Sequence, residues 1–301
     1  NKLEKEDQDI LKFVEVTIRQ ADTAMYHAKR NGGNSHCFNT SDQNTEMERY
    51  YQLEQQIKYA LGRDEFHIVY HPLVDLQKNR ITGVEALLRW NNPELGAVSP
   101  AEFIPLLEEF GYIIQVGKWV LKKVCQQMKT WQDEGINIDR VSVNVSPVQF
   151  RNHNFVQTVK EILQETGLDA QHLEIEITEG TILNIQNPGE TLQQLRDLGV
   201  SISIDDFGTG YSSLSYLKQL PVNTIKIDKS FIDDLDINGE VIVDTIISMG
   251  KNLQYKVIAE GIEHEEQVLY LKQQNCHEGQ GYYWSKPVEP NKIKELVMEQ
   301  V

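Results

Sequence analysis

The stretch Ile202-Ser203-Ile204-Asp205-Asp206-Phe207-Gly208-Thr209-Gly210 alternates apolar and polar residues, closes on two adjacent carboxylates and passes at once into a glycine-punctuated turn. The alternation is that of a strand. Two acids side by side at its mouth repel each other and need a compensating charge. Acids also stand at the ends of other predicted strands, so a pair of divalent metal ions is the compensator the pattern favours. Working outward, strands are predicted over 66–76, 83–90, 141–146, 172–179, 200–206, 224–231, 255–261 and 279–284. Helical runs lie between most of them, such as 117–134, 155–166, 191–198, 240–252 and 265–274. Eight strands alternating with helices predict an α/β fold, a (β/α)8 TIM-like barrel. Only a polar turn near Lys78-Asn79 separates the first two strands. That turn predicts a hairpin, and so one antiparallel strand in an otherwise parallel barrel. A doubly wound open sheet is the alternative, weakened because no Gly-rich phosphate loop follows the first strand.

Ahead of the barrel, Leu11, Val14, Ile18, Ala21, Met25 and Ala28 form one apolar helical stripe, and Gly32-Gly33 stops it. Such a stripe must dock or dimerise. A polar segment, 39–44, leads into a second helix over 45–62, so the chain reads as an N-terminal helical segment, 1–44, and a barrel domain, 45–301. A chain of 301 residues suits one barrel-sized domain with a smaller appendage. The net charge of −16 disfavours any nucleic acid polymer as partner, since such binding rests on Lys and Arg. It also means that an anionic substrate must be attracted locally, against the field of the whole protein. No apolar run approaches a membrane span and the acidic N-terminus is not a signal peptide, so no membrane contact is expected of this stretch. The three cysteines, Cys37, Cys125 and Cys276, lack metal spacing and read as reduced thiols, which points to a cytoplasmic location. A chain that opens on Asn1 reads as a piece of a longer protein, in which upstream sensory domains and a membrane tether remain open.

In a barrel of this kind, polar residues at the C-terminal ends of strands face the active-site mouth. Here they are Glu85, Asn144, Glu176, Asp205 with Asp206, Lys226 with Asp228, Glu260 with Glu263, and Gln280. Oxygen donors without His or Cys select Mg²⁺ or Mn²⁺. Two such ions sharing a bridging aspartate could bind a phosphate oxygen and generate hydroxide at neutral pH. The lysine would hold the attacking water or neutralise charge developing in the transition state. Plainer roles compete with these. Asp205-Asp206 could cap a helix beginning near Ser212. Asp228, two positions after Lys226 and hence on the same face, could form a structural ion pair with it. His36, His67, His153, His172, His264 and His277 show no ligand spacing, and Trp90, Trp119 and Trp131 read as core.

Seven motifs in order carry a resemblance: Glu85-Ala86-Leu87-Leu88-Arg89-Trp90, Asn144-Val145-Ser146, Glu176-Ile177-Thr178-Glu179, Asp205-Asp206-Phe207-Gly208-Thr209-Gly210, Lys226-Ile227-Asp228, Glu260-Gly261-Ile262-Glu263 and Gln280-Gly281-Tyr282. Together they resemble the EAL-domain cyclic di-GMP phosphodiesterases, from about residue 50 to the C-terminus. The stretch from Ala21 to Asn34 resembles the closing helix of GGDEF diguanylate cyclase domains, whose signature is absent, and so reads as a C-terminal remnant.

The resemblance implies that Glu85, Asn144, Glu176 and Asp205 bind a first metal ion, and that Asp205 bridges to a second held by Asp206 and Glu260. It implies that Lys226 orients the attacking water, with Glu260 or a metal-bound hydroxide as base. Arg89, His71, Leu87, Asp206 and Gln280 fall at substrate contacts. Glu179 braces the loop 207–213, which the resemblance links to metal binding and dimerisation, while Asp228, Glu263 and Gln280 surround the metal ligands. The implied reaction opens cyclic di-GMP to linear pGpG in a homodimer. His71 departs from the glutamine common in the family, which implies altered substrate affinity. A receptor that binds cyclic di-GMP without cutting it, and a barrel that stabilises an enolate with Lys226 as base, are the alternatives.

Overall fold

β1 (Phe66–Asp75) and β2 (Arg80–Asn92) pair antiparallel through a turn that Asp75 builds. Its Oδ1 accepts the N–H groups of Gln77 and Lys78 at 2.9 and 2.8 Å, and its carbonyl accepts that of Asn79 at 2.8 Å. Asn79 adopts the left-handed φ of 52° that closes the hairpin, a conformation Asn tolerates. The computed structural model describes residues 41–185, 188–210, 217–235 and 239–299, with Val14, Thr17, Ile18, Ala21 and Met25.

Six more strands complete the barrel: β4 (Arg140–Asn144), β5 (Leu173–Thr178), β6 (Ser201–Phe207), β7 (Thr224–Ile227), β8 (Lys256–Ala259) and β9 (Glu278–Gly279). They run parallel from β2 through β9, and β9 closes the ring by pairing antiparallel with β1. The eight-stranded barrel with β1 reversed is the architecture the sequence predicts. A short β3 (Gly96–Val98) extends β2 outside the ring.

The helices are α1 (Ser41–Ala60), α2 (Pro100–Glu109), α3 (Ile113–Asp133), α4 (Pro147–Phe150), α5 (Phe155–Thr166), α6 (Glu179–Leu183), α7 (Pro188–Asp197), α8 (Lys229–Asp233), α9 (Glu240–Leu253), α10 (Glu265–Gln273) and α11 (Pro290–Glu299). The long ones fall on the predicted runs. The short α4, α6 and α8, and also α2 and α11, escaped the reading. α2 nonetheless carries a legible start, a capping box from Ser99 to Glu102 with Pro100 in the first turn.

Two predicted strands end early. The strand expected to run to 231 stops at Ile227, because Asp228 caps α8 by accepting the Ser230 N–H at 3.0 Å. The one expected over 279–284 is only Glu278–Gly279. Beyond it the chain folds against Ile262 so closely that a Cβ on Gly281 would lie 2.0 Å from the Ile262 carbonyl oxygen, and the aromatic run becomes a turn.

The strands distribute their residues with period two, and the apolar face is the outer one. Val141 and Val143, Ile175 and Ile177, Ile202 and Ile204, and Ile225 and Ile227 are all buried. Helices that follow β2 in the chain meet this layer with their own apolar stripes, such as Val116, Val120, Val124 and Met128 of α3. The alternate residues, Ser142, Asn144, Glu174, Glu176, Ser203, Asp205, Thr224 and Lys226, turn inward. The lumen of this barrel is therefore polar, where branched apolar layers commonly fill such a space.

The chain divides into two compact units, Asn1–Arg63 and Asp64–Val301. In the first, Val14, Thr17, Ile18, Ala21 and Met25 are helical, and the stripe residues Val14, Ile18 and Met25 are exposed. Leu11, Ala28, the Gly32-Gly33 stop and the remainder of the stretch from Ala21 to Asn34 lie outside the described residues, as does Cys37. Cys125 and Cys276 are buried free thiols whose pKa values burial pushes up to about 12, the behaviour of inert core residues. Among the described residues no helix is long and apolar enough to cross a membrane.

Candidate active site

A regular strand would send Asp205 and Asp206 to opposite faces. The end of β6 breaks that rule. Its pairing with β7 slips between Ile204 and Phe207, and Asp206 takes a left-handed φ of 52°. That conformation costs most L-residues about 1–2 kcal/mol, and Asp is among the few that visit it. The Asp206 N–H donates to Asp205 Oδ1 at 3.0 Å, and the Asp206 carbonyl accepts the Thr209 hydroxyl at 2.8 Å. Both acids thereby reach the same end of the barrel, where one oxygen each from Asp205, Asp206 and Glu260 lie within 4.8 Å of one another.

Lys226 stands at the centre, fully buried. Its Nζ lies 2.5 Å from Glu260 Oε1, 2.9 Å from Glu176 Oε2, 3.2 Å from Asp205 Oδ1 and 3.7 Å from Glu85 Oε2. Burial alone would lower its pKa, but Asp205, Glu176, Glu260 and Glu85 outweigh burial and hold the ammonium well above its ordinary value. Glu85 is fixed by amides as well: Asn144 Nδ2 donates to its Oε1 at 2.6 Å and Gln280 Nε2 to its Oε2 at 3.0 Å. These donors and Lys226 overcome burial and keep Glu85 below the usual carboxylate range.

The remaining acids are not so favoured. Burial, added to by Glu85 and Asp205, drives Glu176 well above the usual range despite Lys226. Burial likewise raises Glu260 to about 8, and burial with Asp205 beside it raises Asp206 to about 6. One oxygen of Glu176, Oε1, is buried without a hydrogen-bond partner. A surplus of hard oxygen donors, one of them lacking any donor, fits divalent cations of the Mg²⁺ or Mn²⁺ type.

The other residues singled out from sequence fall at graded distances from this cluster. Leu87 and Arg89 follow Glu85 on the same face of β2. Arg89 is half-buried and donates to the Leu88 carbonyl at 2.9 Å. His71 pairs with Glu85 across the hairpin, but its ring reaches the Ser285 carbonyl at 3.0 Å. Glu179, at the start of α6, accepts the N–H groups of Gly208 and Gly210 at 2.9 and 3.3 Å. A Cβ on Gly210 would lie 2.8 Å from Glu179 Oε1, so a side chain here would push that carboxylate aside. Residues 211–213 of that loop, and the helix expected near Ser212, lie outside the described residues.

Asp228 and Glu263 take partners other than Lys226. Asp228 does not pair with Lys226; its carboxylate turns back to cap α8. Glu263 is exposed and bound to Lys229 at 2.7 Å, away from the contacts of Lys226.

A second charged layer went unread. Arg140 Nε donates to Glu174 Oε1 at 3.1 Å, and its Nη2 and Nη1 to Glu278 at 2.5 and 3.2 Å. Ser142 and Thr224 hydroxyls complete Glu174 at 3.0 Å each, while Thr82 and Lys256 complete Glu278 at 2.7 and 2.9 Å. The signal was present, because Ser142, Glu174, Ser203 and Thr224 each stand two positions before Asn144, Glu176, Asp205 and Lys226. They line the same lumen one layer toward the N-terminal ends of the strands.

The EAL domain model matches residues 54–287. The bifunctional diguanylate cyclase/cyclic di-GMP phosphodiesterase MucR of Pseudomonas aeruginosa is 41% identical over 276 residues, covering 91% of this chain and 40% of the relative. The signaling protein YkoW of Bacillus subtilis is 39% identical over 287 residues, 94% of this chain and 36% of its own length. The chain thus spans about two fifths of the length of these relatives. Among solved structures, the PaMucR phosphodiesterase in complex with c-di-GMP superposes with a TM-score of 0.78 at 40% identity, covering 80% of this chain and 99% of that one. The cAMP-bound EAL enzyme Bd1971 gives 0.79 at 36% identity, over 84% of this chain and 72% of that one. With most of its length matched by the family model and its barrel superposing on solved members, this chain belongs to the EAL domain family.

Proposed function

We propose that this chain is a metal-dependent phosphodiesterase that hydrolyses cyclic di-GMP to linear pGpG. The observation that carries the reading is the excess of carboxylates around Lys226, with Glu176 Oε1 left without a donor. The similarity to a phosphodiesterase solved with c-di-GMP supplies the substrate class. Glu85, Asn144, Glu176, Asp205, Asp206 and Glu260 would hold two Mg²⁺ or Mn²⁺ ions. When bound, such ions neutralise phosphate charge and lower the pKa of a coordinated water.

The chain's own groups do the rest. Lys226, locked by three carboxylates within 3.2 Å, presents a fixed cation to the attacking water and to charge developing on phosphorus. Glu260, with its Oε1 2.5 Å from Lys226 Nζ and an oxygen beside those of Asp205 and Asp206, is placed to receive the proton of that water as the P–O bond to the ribose breaks and the ribose oxygen takes a proton from solvent. Arg89, on the same face as Glu85, is the phosphate contact, and Leu87 lines its approach. Glu179 holds the turn after Asp206 and so fixes that carboxylate. Glu263 and Asp228 act at the rim, Asp228 by raising the charge density beside Asp206.

The domain assignment goes with this reading: residues 45–301 as the phosphodiesterase barrel and 1–44 as the end of a GGDEF domain with its linker. The family match at 54–287 lies inside the first, and the match to a bifunctional cyclase/phosphodiesterase extends over 91% of the chain. A cytoplasmic homodimer, with sensory and cyclase domains upstream, is the assembly proposed. The test is chromatography of the products from cyclic di-GMP with Mg²⁺ or Mn²⁺, with and without chelator. Wild type should release pGpG and Glu85→Ala should release none. Folded wild-type protein that yields no product with either metal overturns the reading.

A further inference from the structure

The strand β1 meets the loop after β9 at two adjacent residues. Tyr70 exchanges both backbone hydrogen bonds with Val288, at 2.7 and 2.8 Å. His71 reaches the Ser285 carbonyl through Nε2 at 3.0 Å, a contact between residues 214 positions apart. A carbonyl only accepts, so Nε2 carries the proton. The flank of the ring packs on Tyr282, with centroids 6.1 Å apart and planes inclined by 51°. Tyr282 stays 54% exposed, and Lys286 Nζ lies 5.3 Å from its ring centroid.

Gln280 is anchored independently. Its N–H donates to the Ala259 carbonyl at 2.9 Å and its carbonyl accepts the Ile262 N–H at 3.0 Å. Tyr283 is held to the same neighbour, its N–H donating to the Ile262 carbonyl at 3.0 Å, so the contacts of His71 are separate from those that place the amide holding Glu85.

We propose that His71 is a positioning residue that clasps the 281–288 loop to β1, so that Tyr282 offers its aromatic face to a purine base of the substrate. The inference rests on the cyclic dinucleotide reading of the adjacent carboxylate cluster, which His71 faces across the hairpin. With Nε2 engaged by Ser285, the ring acts on the substrate through Tyr282 and not through that nitrogen. Stacking on an aromatic ring is tolerant of which base is offered and acts on binding more than on the chemical step.

The test measures hydrogen exchange across 281–288 together with turnover of cyclic di-GMP, in wild type, His71→Ala, His71→Gln, Tyr282→Ala and the double variant His71→Ala/Tyr282→Ala. In His71→Ala, exchange in the loop should quicken and KM should rise about tenfold, with kcat within about twofold of wild type. His71→Gln keeps a donor for Ser285 and should restore slow exchange while recovering only part of KM. The double variant should bind no worse than Tyr282→Ala. Unchanged loop exchange in His71→Ala, or a fall in kcat at constant KM, overturns the clasp. Exchange that behaves as expected in a chain that never cuts the substrate keeps the clasp and breaks the functional reading.

Discussion

The two layers of the barrel lumen are built alike and balanced differently. In the layer nearer the N-terminal ends of the strands, Glu174 and Glu278 meet Arg140 and Lys256, and all four carboxylate oxygens accept hydrogen bonds. In the layer nearer the C-terminal ends, Glu85, Glu176, Asp205, Asp206 and Glu260 have, among the described residues, one ion-pair partner, Lys226. A neutral network whose carboxylates are fully hydrogen-bonded is a structural element, even with the Ser203 hydroxyl beside it buried without a partner. A network short of positive charge is unfavourable by itself and becomes favourable when cations arrive. The contrast teaches that the site is recognised by its imbalance more than by the presence of acids.

That contrast breaks most readily at Arg140. Removing it leaves the buried Glu174 without a cation and Glu278 with Lys256 alone, so Arg140→Ala should lose about 3–5 kcal/mol in a urea denaturation. A loss below about 1 kcal/mol would mean that the inner layer is not the tight network its distances describe.

The same layer sets an acid limit. Despite its burial, Arg140 and Lys256 hold Glu278 down to about 2 against an ordinary value of 4.5. A depressed carboxylate contributes stability in full above its unfolded value and loses it as the pH falls through its folded value. About 3 kcal/mol should therefore disappear between about pH 4.5 and pH 2, and Glu278→Gln should flatten that stretch of the stability profile. A variant whose profile keeps the wild-type slope would place the acid sensitivity elsewhere.

The smallest effect sharpens the comparison most. Because burial and neighbouring acids disfavour the ionised form of Glu176, Glu176→Gln should leave the chelated protein as stable as wild type or about 1 kcal/mol more stable. The same exchange at Glu278 should destabilise. Function and stability would then be opposed in one layer and aligned in the other.

Much of this was legible along the chain. The period-two pattern and the strand-end acids gave the barrel, its reversed first strand and the members of the cluster. The Asp205-Asp206 pair did not announce how both acids reach one side, since that depends on a slipped register and a left-handed aspartate. Strand-end position does not single out the inner layer, although Glu174 and Thr224 stand two positions earlier with the same periodicity. Its pairings were beyond local reading. Arg140 finds Glu278 138 positions away, and His71 finds Ser285 214 away, through the stagger of closed strands and not through any sequence motif. The end of β7 differs for a local reason: Asp228 caps a helix three residues before the end of the predicted strand.

The most direct measurement is the denaturation midpoint of the chelated protein as Mn²⁺ or Mg²⁺ is added back, for wild type, Glu176→Gln and Glu278→Gln. A cation that binds only the folded state at 100 times its Kd should add about 2.7 kcal/mol. The expected result is a midpoint that climbs with metal in wild type and in Glu278→Gln, and climbs far less in Glu176→Gln. A wild-type midpoint indifferent to both metals, or an equal climb in all three proteins, would contradict the claim that the unbalanced layer is completed by cations.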